Sequence, residues 1–395
     1  MHIGLTGPLG MDALRPLFDG RQLPTVNEGP VTGQLARAWW EQGHEVTAFA
    51  LSSQVRERTE FTAAAGRLRL VVVPQRPNGA ARDLFRQERR GIVAALRDHP
   101  VDLVNAHWTY EYALAAVDSG RPALVTAHDT PLRYAWEMRS AYRWVRHSLA
   151  LPVAHRARAL SAVSPYTARH YRRSLGVRRP ITTIPNGLDL ATLPTASAPP
   201  PGRAPVFAMA LQGWGPLKNT VAGLRAFGLV RRQLPQARLL ALGAGHERGG
   251  PAHTWAAAHG LADGVDFTGA LPYDDALARI AAEAHVLVHP SRVEACPMTC
   301  AEAMAMGIPV IGGRRSGGVP WLVGDTGVLT DIDRPHLIAE AMTALARDDE
   351  RRSALGARAR DRIRTDFRLG DVADAYLRWF SAHLSAEPSR TEALR

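Results

Sequence analysis

The stretch AHVLVHPSRVEACPMTCAEAMAMGIPVI, residues 284–311, contains a strand, a loop, a helix and a second strand in succession. Val286–His289 is a short apolar run of strand length, and Ile308–Ile311 is another. Between them, Pro297 marks the start of a helix predicted over Met298–Met306, because proline is preshaped for the first turn of a helix. The stretch therefore predicts one strand-helix-strand unit of a parallel sheet.

The start of this helix combines a predicted anion site with two carboxylates. The first N–H groups of a helix, here those of Met298, Thr299 and Cys300, have no acceptor within the helix and attract anions. Glu294 lies just before them and Glu302 one turn inside, with seven residues between the two acids. Carboxylates bind vicinal hydroxyls, so the combination predicts a ligand with both phosphate and hydroxyl groups, such as a nucleotide sugar. The alternative is a plain structural unit whose acids lie on its surface.

The composition is that of an ordinary globular protein. With 395 residues, of which 46% are apolar and 22% charged, the chain is long enough for two or three domains. Its net charge of +11 suits nucleotide phosphates, an anionic acceptor or an anionic membrane surface, but the basic residues are scattered and predict no nucleic-acid partner. No apolar run reaches the roughly 18 residues of a membrane span, and no signal-peptide pattern opens the chain, which predicts a cytoplasmic protein.

Two patterns superficially suggest a metal ion. Cys296 and Cys300 are the two cysteines of the chain, but they would lack the other ligands of a zinc site, and small packing residues are the favoured interpretation. The Asp331-Ile332-Asp333 segment matches an Asp-x-Asp pattern, yet it lies just before Pro335 and a predicted helix. An aspartate N-cap explains it better, so the sequence predicts no metal site.

One basic residue differs from the others in type. Of 48 basic residues, Lys218 is the single lysine and the other 47 are arginines. A compact ammonium suits a specific phosphate contact, and an ordinary surface lysine is the alternative interpretation. Lys218 follows a predicted strand and the turn GWGPLKN, and Asn219 is suited to cap a helix predicted from Thr220. This position places the ammonium at a second helix start, where anions bind.

Strand-like and helix-like segments alternate along the chain, which predicts α/β domains with parallel sheets. Runs of strand length in the first half are His2–Thr6, Glu45–Leu51, Leu68–Val73, Val101–Asn105, Ala123–Ala127, Ala159–Val163 and Ile181–Ile184. Helical stretches between them include Thr32–Gln42, Asp83–Asp98 and Pro165–Ser174. A segment rich in Pro, Ala and Ser, residues 191–205, precedes the strand at Val206–Leu211 and predicts a linker, with the domain boundary near residue 200.

Ligands of parallel sheets bind at the carboxyl ends of the strands, so polar residues at these ends are candidates for a site. His107 and His128 each follow a predicted strand, and histidine is polar and titrates near neutral pH. A long loop, residues 7–29, follows the first strand, and loops of this length are usually functional or disordered. The glycines at 312, 313, 317 and 318 predict a backbone-rich loop for a diphosphate or a sugar.

A long helix is predicted over residues 133–151. Met138, Tyr142, Val145 and Leu149 fall on one face, with arginines alongside. A helix packed on the core with a solvated basic flank is the favoured interpretation. Contact with an anionic membrane or an anionic acceptor is the alternative.

The spacing of Glu294 and Glu302 resembles the Glu-x7-Glu signature of retaining glycosyltransferases of family 4, which have the GT-B fold. Other landmarks of that family follow in order: His128-Asp129, the sextet IPNGLD at 184–189 and VDFTGALPYDD at 265–275. The resemblance therefore covers nearly the whole chain.

The resemblance implies an α/β protein of two Rossmann-like domains whose parallel sheets face each other across a cleft. Residues 1–195 would form the acceptor-side domain and residues 203–370 the domain that binds the nucleotide-sugar donor. A C-terminal helix at about residues 371–385 would cross back to the first domain, and the last ten residues are expected to fray.

The resemblance also implies roles for individual residues. The donor-binding residues would be Gly213, Lys218, Gly243, Glu294, Met298, Thr299, Cys300 and Glu302. Lys218 would meet the diphosphate without a metal ion, Glu302 would hold the ribose diol, and Glu294 would hold a sugar hydroxyl. His128 would orient the sugar or help to activate the acceptor hydroxyl, and the three of Lys218, Glu294 and His128 are the predicted catalytic residues.

The acceptor side is implied to include Asn27, Gly29 and His107, and a supporting or structural role is the alternative for His107. The acceptor itself would be a sugar, a lipid-linked molecule or a small molecule. A peripheral location at the inner face of an anionic membrane is compatible with this expectation.

Two departures from the family pattern keep other functions open. The family pairs its lysine with an arginine a few residues upstream, where this chain has Gln212 or Trp214. Either Arg292, Arg314 or Arg315 takes its place, or diphosphate binding is weaker. In addition, Trp321 replaces a common glutamate. A non-catalytic binding protein of the same fold and a nucleotide-sugar epimerase are therefore the alternative functions.

Overall fold

A computed structural model describes residues 1–195 and 204–385. Most of the predicted linker, at 196–203, and the predicted frayed segment after residue 385 lie outside the described residues. The chain forms two compact units. Unit 1 consists of Met1–Gly187 and the terminal segment from Leu369, and unit 2 consists of Leu188–Arg368.

The division between the units lies earlier than the boundary predicted near residue 200. Leu188 packs in the core of unit 2, where Leu190 and Leu193 pack against it. The N–H of Leu188 also donates to the carbonyl of Phe367. Residues 188–195 therefore belong to unit 2, although their composition resembles the linker that follows.

The secondary structure alternates as predicted. The strands are β1 (His2–Thr6), β2 (Glu45–Ser52), β3 (Thr59–Thr62), β4 (Leu68–Pro74), β5 (Leu103–His107), β6 (Ala123–Ala127), β7 (Ala159–Ala162), β8 (Ile181–Thr183), β9 (Val206–Ala210), β10 (Arg238–Leu242), β11 (Val265–Gly269), β12 (Val286–His289), β13 (Val310–Gly313) and β14 (Val328–Thr330). The helices are α1 (Pro30–Glu41), α2 (Arg86–Asp98), α3 (Glu111–Asp118), α4 (Pro131–Met138), α5 (Ala141–Arg156), α6 (Pro165–Ser174), α7 (Thr220–Gln233), α8 (Pro251–Ala258), α9 (Tyr273–Glu283), α10 (Met298–Ala305), α11 (Val319–Val323), α12 (Pro335–Arg347), α13 (Asp349–Asp366) and α14 (Leu369–Leu384).

Unit 1 contains an eight-stranded sheet in the order β3-β4-β2-β1-β5-β6-β7-β8. All neighbouring strands are parallel except β3, which pairs antiparallel with β4 at the edge. The central strands are almost fully buried, as expected for strands covered by helices on both faces. Strand β3 was not predicted, because its four residues are only partly buried or exposed and carry no apolar run.

The loop after β1 is a packed part of unit 1. It contains a short 3₁₀ helix (Arg15–Phe18), and Leu9, Leu14 and Phe18 are buried in the same core as β1. Helix α14 packs on this core as well, where Trp39 contacts Tyr376 and Phe380 edge-on. The prediction that the terminal helix returns to the first domain is therefore confirmed.

The single helix predicted over residues 133–151 is wrong. The structure has two helices, α4 and α5, because Arg139 adopts a left-handed conformation with φ of 46° that ends α4. Of the predicted apolar face, Leu149 is buried, but Met138 and Tyr142 are exposed. Within residues 1–195 and 204–385, no helix combines the length and the apolar character that a membrane crossing requires.

Unit 2 contains a six-stranded parallel sheet in the order β11-β10-β9-β12-β13-β14. Strands β9 and β12 are neighbours in the sheet, but β10 and β11 lie between them in the sequence. In unit 1, β1 and β5 are related in the same way. Each unit therefore has a switch point at its centre, where the chain reverses the direction in which strands are added and where ligands of such sheets bind.

Candidate functional site

The switch point of unit 2 brings together Lys218 and Glu294. Lys218 lies in the loop after β9, and Glu294 lies in the loop between β12 and α10. The Nζ of Lys218 is 2.8 Å from Oε1 of Glu294, although 76 residues separate the two. Both side chains are largely buried, with 29% and 14% of their surface exposed.

His289 is a third member of this cluster, and the sequence analysis did not single it out. It is the last residue of β12 and is buried, and its Nε2 lies 3.4 Å from Oε1 of Glu294. That distance is longer than a well-formed hydrogen bond, and neither ring nitrogen has a hydrogen-bond partner among the described residues. Burial favours a higher pKa for Glu294, but His289 and Lys218 outweigh it and lower the pKa to about 2.

Helix α10 begins at Met298, immediately after Pro297, as predicted. The first N–H that bonds back to a carbonyl of this turn is that of Ala301, which donates to Pro297. Within the part of the chain that the structure describes, the N–H groups of Met298, Thr299 and Cys300 have no backbone acceptor, as the sequence predicts for a helix start. Burial also raises the pKa of the Cys300 thiol far above its ordinary value, so this thiol is neutral at physiological pH.

Glu302 lies inside α10 and is buried, where its Oε1 accepts a hydrogen bond of 2.8 Å from the hydroxyl of Tyr273. Tyr273 is the first residue of α9, and its side chain is about half exposed. Burial raises the pKa of Glu302, and the tyrosine hydroxyl only partly opposes that effect. A buried carboxylate whose partner is the hydroxyl of a half-exposed tyrosine is able to exchange that hydroxyl for the diol of a ligand.

Replacing Glu302 by glutamine should stabilise the protein at neutral pH. The folded protein holds the Glu302 proton more tightly than the unfolded chain does, since the pKa is raised above its ordinary value of 4.5. The free energy of unfolding therefore falls as the pH rises through the pKa of Glu302, and Glu302→Gln removes this loss. Urea unfolding at pH 7 and pH 4 measures the effect, with the exposed Glu340→Gln as control. A variant that is less stable than the parent at pH 7 would contradict this assignment.

The two glycines predicted on the donor side have conformations that only glycine adopts easily. Gly213 has φ of 87° and Gly243 has φ of 105°. A Cβ on Gly243 would lie 2.0 Å from the carbonyl oxygen of Leu211. The N–H of Gly213 donates to the carbonyl of Ala244, so the turns after β9 and β10 are joined. These glycines are required by the backbone, and their role in donor binding stays a prediction.

The arginine that is missing upstream of Lys218 has no direct replacement at Gln212 or Trp214. The amide oxygen of Gln212 accepts a hydrogen bond from the N–H of Ala244, and Trp214 packs beside Trp255. Of the arginines predicted as substitutes, Arg292 bonds to Asp333 and to the carbonyl of Pro216.

Arg314 and Arg315 are exposed in the loop after β13. Which arginine meets a diphosphate therefore stays open.

Of the two predicted helix caps, Asn219 is confirmed in position but not in its bonding, and the aspartate cap is wrong. Asn219 occupies the N-cap position of α7, but its side chain makes no capping bond and instead donates to the carbonyl of Ile332 at 2.9 Å. The N-cap position of α12 is held by Arg334, not by an aspartate. Asp331 accepts from the N–H of Asp333, which is a local turn, and Asp333 pairs with an arginine.

The predicted absence of a metal site stays a prediction. Cys296 and Cys300 are buried, and neither forms a disulfide bond within the described residues. Within the described ranges, three or more His, Cys, Asp or Glu side chains do not cluster in a way that suits a metal ion.

The switch point of unit 1 brings together His107 and His128. His107 is the last residue of β5, and His128 follows β6 directly. The Nδ1 of His107 is 2.8 Å from the Nε2 of His128, and both rings are buried. The ring of Trp108 stacks on His128 at 4.3 Å, and Trp108 has a positive φ of 60°. Burial lowers the pKa of His128 to about 3, and burial with the neighbouring His128 lowers the pKa of His107 as well.

A buried network next to His128 was not predicted. The hydroxyl of Tyr110 donates to Asp129, and Arg146 pairs with Glu111 and lies 3.9 Å above the ring of Tyr110. Burial raises the pKa of Asp129, although the tyrosine hydroxyl opposes it. Arg146 is therefore an internal ion-pair residue and not part of the solvated basic flank that the sequence predicts.

The remaining acceptor-side residues have structural partners. The side-chain amide of Asn27 donates to the hydroxyl of Tyr112 at 3.0 Å, and its backbone is bonded to Leu9 and Leu51. A Cβ on Gly29 would lie 2.6 Å from the carbonyl oxygen of Pro8. Both residues hold the loop after β1 against unit 1, and their contact with an acceptor stays a prediction.

His289 could have been predicted from its position at the end of a strand, which is the feature that identified His107 and His128. All three histidines lie at the carboxyl end of a parallel strand, two as its last residue and one directly after it. Tyr273 was harder to predict, because its only sequence feature was its place in the VDFTGALPYDD segment, which was quoted as a family landmark. Its contact with Glu302 depends on the packing of α9 beside α10, which no local pattern encodes.

Two family models match consecutive parts of the chain. Residues 30–192 match the model described as Glycosyltransferase Family 4, and residues 211–362 match Glycosyl transferases group 1. Together they include His107, His128, Lys218, Glu294 and Glu302, whereas Asn27 and Gly29 lie just before the first matched range.

Curated relatives are similar over about half of the chain. The GDP-mannose-dependent alpha-(1-6)-phosphatidylinositol monomannoside mannosyltransferase of Mycolicibacterium smegmatis is 30% identical over 229 residues. That alignment covers 53% of this chain and 58% of the relative, so the chain spans less than two thirds of the relative's length.

Solved structures share the fold along nearly all of the chain. The sucrose-phosphate synthase of Thermosynechococcus elongatus superposes with a TM-score of 0.77 at 18% identity, over 98% of this chain and 100% of the other. Alr3699/HepE of Anabaena, solved with UDP and glucose, gives 0.69 at 16% identity, over 97% and 100%. At these identities the similarity concerns the GT-B fold alone.

Proposed function

Because the chain belongs to glycosyltransferase family 4, we propose that it transfers a sugar from a nucleotide diphosphate sugar to an acceptor hydroxyl. The proposal includes retention of the anomeric configuration and independence from metal ions. It rests above all on one observation: Lys218 and the largely buried Glu294 pair at 2.8 Å at the switch point of unit 2, beside the start of α10.

The leaving group would be stabilised by unit 2. Breaking the bond between the anomeric carbon and the diphosphate develops negative charge on the diphosphate, and fixed positive groups stabilise that charge most. The ammonium of Lys218 and the N–H groups of Met298, Thr299 and Cys300 would supply them. Lys218 has three N–H donors, of which Glu294 uses one.

The carboxylates would hold the hydroxyl groups of the donor. Glu294 stays ionised at neutral pH, because its pKa is about 2. It would accept a hydrogen bond from a sugar hydroxyl while it orients Lys218. Glu302 would bind the ribose diol in place of the Tyr273 hydroxyl. In unit 1, His128 would accept a hydrogen bond from a substrate hydroxyl, since its low pKa keeps it neutral.

The function is tested by donor turnover. The full chain is incubated with GDP-mannose, the donor named for the mannosyltransferase relative, and with UDP and ADP sugars, with and without simple sugar and lipid-linked acceptors. Release of nucleoside diphosphate supports transfer, and slow release without acceptor supports it too. Nuclear magnetic resonance of the product tests retention, and an unchanged rate after treatment with EDTA is expected.

Two other outcomes would point to the alternative functions. Tight binding of a donor without turnover across the panel would indicate a non-catalytic binding protein, as the missing arginine first suggested. An isomerised nucleotide sugar without release of nucleoside diphosphate would indicate an epimerase.

We also propose that unit 1 contacts anionic membranes through an exposed aromatic patch on α4 and α5. The patch consists of Trp136, Met138, Tyr142 and Trp144, which are 43% to 68% exposed. The exposed Arg139 lies between the two helices that carry it. Aromatic side chains beside cations are suited to the interface of an anionic bilayer, and a lipid-linked acceptor would lie there.

Replacing Trp136 and Trp144 by serine should weaken vesicle binding at least about tenfold, because each buried tryptophan contributes roughly 1.5–3 kcal/mol. Cosedimentation of the full chain with phosphatidylglycerol vesicles measures it, and phosphatidylcholine vesicles test the dependence on charge. Leu84→Ser, which changes another exposed apolar residue of unit 1, is the matched control. Equal binding of the double variant and the parent would rule the patch out.

A further inference from the structure

Three side chains of unit 1 form one continuous buried chain of hydrogen bonds. The Nε2 of His107 is 2.7 Å from Oδ1 of Asn105, and the Nδ1 of His107 is 2.8 Å from Nε2 of His128. Asn105 and His107 are fully buried, and His128 is 9% exposed. Since each hydrogen bond needs one donor and one acceptor, the partners at one end of the chain determine the protons at the other.

Asn105 has a fixed orientation. Its Nδ2 donates to the carbonyl oxygen of Leu124 at 3.1 Å and to Oγ1 of Thr126 at 3.3 Å. A carbonyl oxygen only accepts, so the amide nitrogen must face Leu124 and the amide oxygen must face His107. The Oδ1 of Asn105 therefore accepts a hydrogen bond from His107.

The orientation of Asn105 determines the proton positions on both imidazoles. His107 must carry its proton on Nε2, and in the neutral ring its Nδ1 is then an acceptor. His128 must accordingly donate from Nε2. We propose that Asn105 and His107 are positioning residues that hold His128 in the Nε2-protonated tautomer, so that Nδ1 is the lone pair that His128 offers to a substrate hydroxyl. The use of that lone pair rests on the proposed function.

The surroundings keep both rings neutral and in place. Trp108 stacks on His128 at 4.3 Å and limits rotation of the ring, and the ring centre of Tyr376 lies 6.0 Å from that of His107. Burial lowers the pKa of both histidines, to about 3 for His128. A proton on Nδ1 of His107 would face the Nε2–H of His128 as a second donor at 2.8 Å, so His107 stays singly protonated as long as His128 carries its proton on Nε2.

A purely structural role for the chain makes different predictions. If Asn105 and His107 only satisfied each other in the core, their replacement would change stability, and the tautomer of His128 would not matter to catalysis. A positioning role predicts instead that a change at Asn105, which does not contact His128, alters the proton on His128. The distinction needs a readout of the tautomer itself.

The tautomer is read from nitrogen-15 shifts of the ring nitrogens in the full chain labelled at histidine. The signals of His128 are assigned by their loss in His128→Asn. We expect a protonated Nε2 and an unprotonated Nδ1 in the parent.

Asn105→Asp places a carboxylate against His107 and favours its doubly protonated form, whose Nδ1–H then donates to His128. The proton of His128 should move to Nδ1, and kcat should fall at least about tenfold with little change in the KM of the donor.

Two further variants complete the test. Ser161→Ala removes the 2.9 Å hydrogen bond between the hydroxyls of Ser161 and Thr126 without touching His107, and should change neither the tautomer nor kcat. His107→Asn keeps an acceptor for the Nε2–H of His128, so it should preserve the tautomer of His128. It should also retain more activity than His107→Leu, which has no acceptor. This pair of variants tests the inference even if Asn105→Asp does not fold. A parent with the proton on Nδ1, or a loss of kcat without a tautomer change, overturns the inference. The expected tautomer in a chain that turns over no donor would leave the inference standing and refute the proposed function.

Discussion

Replacing Lys218 by alanine should lower kcat/KM for the nucleotide sugar by about 10²–10³-fold, the usual cost of losing one charged contact to a developing anion. Its ammonium lies 2.8 Å from Oε1 of Glu294 in unit 2, and Glu294 is in the loop that leads into the start of α10. The affinity for the bare nucleoside diphosphate should fall as well, because the lost contact is to the diphosphate. Titration calorimetry with the diphosphate and initial rates with the donor measure the two effects.

Lys218→Arg is the matched control for charge. It keeps a cation, but a planar guanidinium has a different shape from a compact ammonium and does not fit the same position beside Glu294. We expect partial recovery of diphosphate affinity and little recovery of kcat. Unchanged diphosphate affinity in Lys218→Ala would show that the single lysine of the chain lies outside the donor site.

The variant also leaves Glu294 without its closest partner. A largely buried carboxylate that loses a cation costs stability, so the melting temperature of Lys218→Ala should fall while the fold is retained. His289 at 3.4 Å still faces the carboxylate and limits that loss. Circular dichroism at the assay temperature separates a folded, inactive variant from an unfolded one.

The parallel strands were predictable because burial on both faces requires continuous apolar runs. Ala123–Ala127 and Val286–His289 are strands with the predicted bounds. The same topology explains why site residues could be found from the sequence. Carboxyl ends of parallel strands share one edge of the sheet, so polar residues that follow different strands meet there.

Features that depend on distant partners were not predictable. Asn219 has the residue type of an N-cap, but its side chain bonds to Ile332, which lies 113 residues away. Arg139 ends α4 in a left-handed conformation that nothing in its own sequence requires. Strand β3 exists because β4 offers it an edge, and its own sequence is too polar to indicate a strand.

The ion pair between Lys218 and Glu294 is another feature that depends on a distant partner and was not predictable from the sequence. Family resemblance gave Lys218 and Glu294 separate ligands, a phosphate and a sugar hydroxyl, whereas the structure joins them to each other. The pair has a physical reason: a cation and an anion that are both largely buried are stable only when each compensates the other. The two residues therefore act as a unit, and replacing either one leaves the charge of the other uncompensated.

Replacing Glu294 by glutamine should have the opposite effect on diphosphate binding from that of Lys218→Ala. Glutamine has the same shape but no charge, so the ammonium of Lys218 is no longer neutralised at 2.8 Å and attracts a diphosphate more strongly. The affinity for the bare nucleoside diphosphate should therefore stay equal or rise. The rate of sugar transfer should fall by about 10²-fold, because the acceptor for the sugar hydroxyl and the orientation of Lys218 are weakened.

The pH dependence of stability identifies the same carboxylate. The pKa of Glu294 falls from an ordinary 4.5 to about 2 in the folded protein. A depressed pKa contributes stability above the unfolded value, and this contribution is lost as the pH falls from about 4.5 towards 2. Glu294→Gln lacks this contribution, so the parent should lose more stability than the variant between pH 5 and pH 3 in urea unfolding, and Glu340→Gln should behave as the parent does.

If Glu294→Gln instead bound the diphosphate more weakly than the parent, the carboxylate would be a ligand of the nucleotide itself, and the separate roles assigned to Glu294 and Lys218 would be wrong.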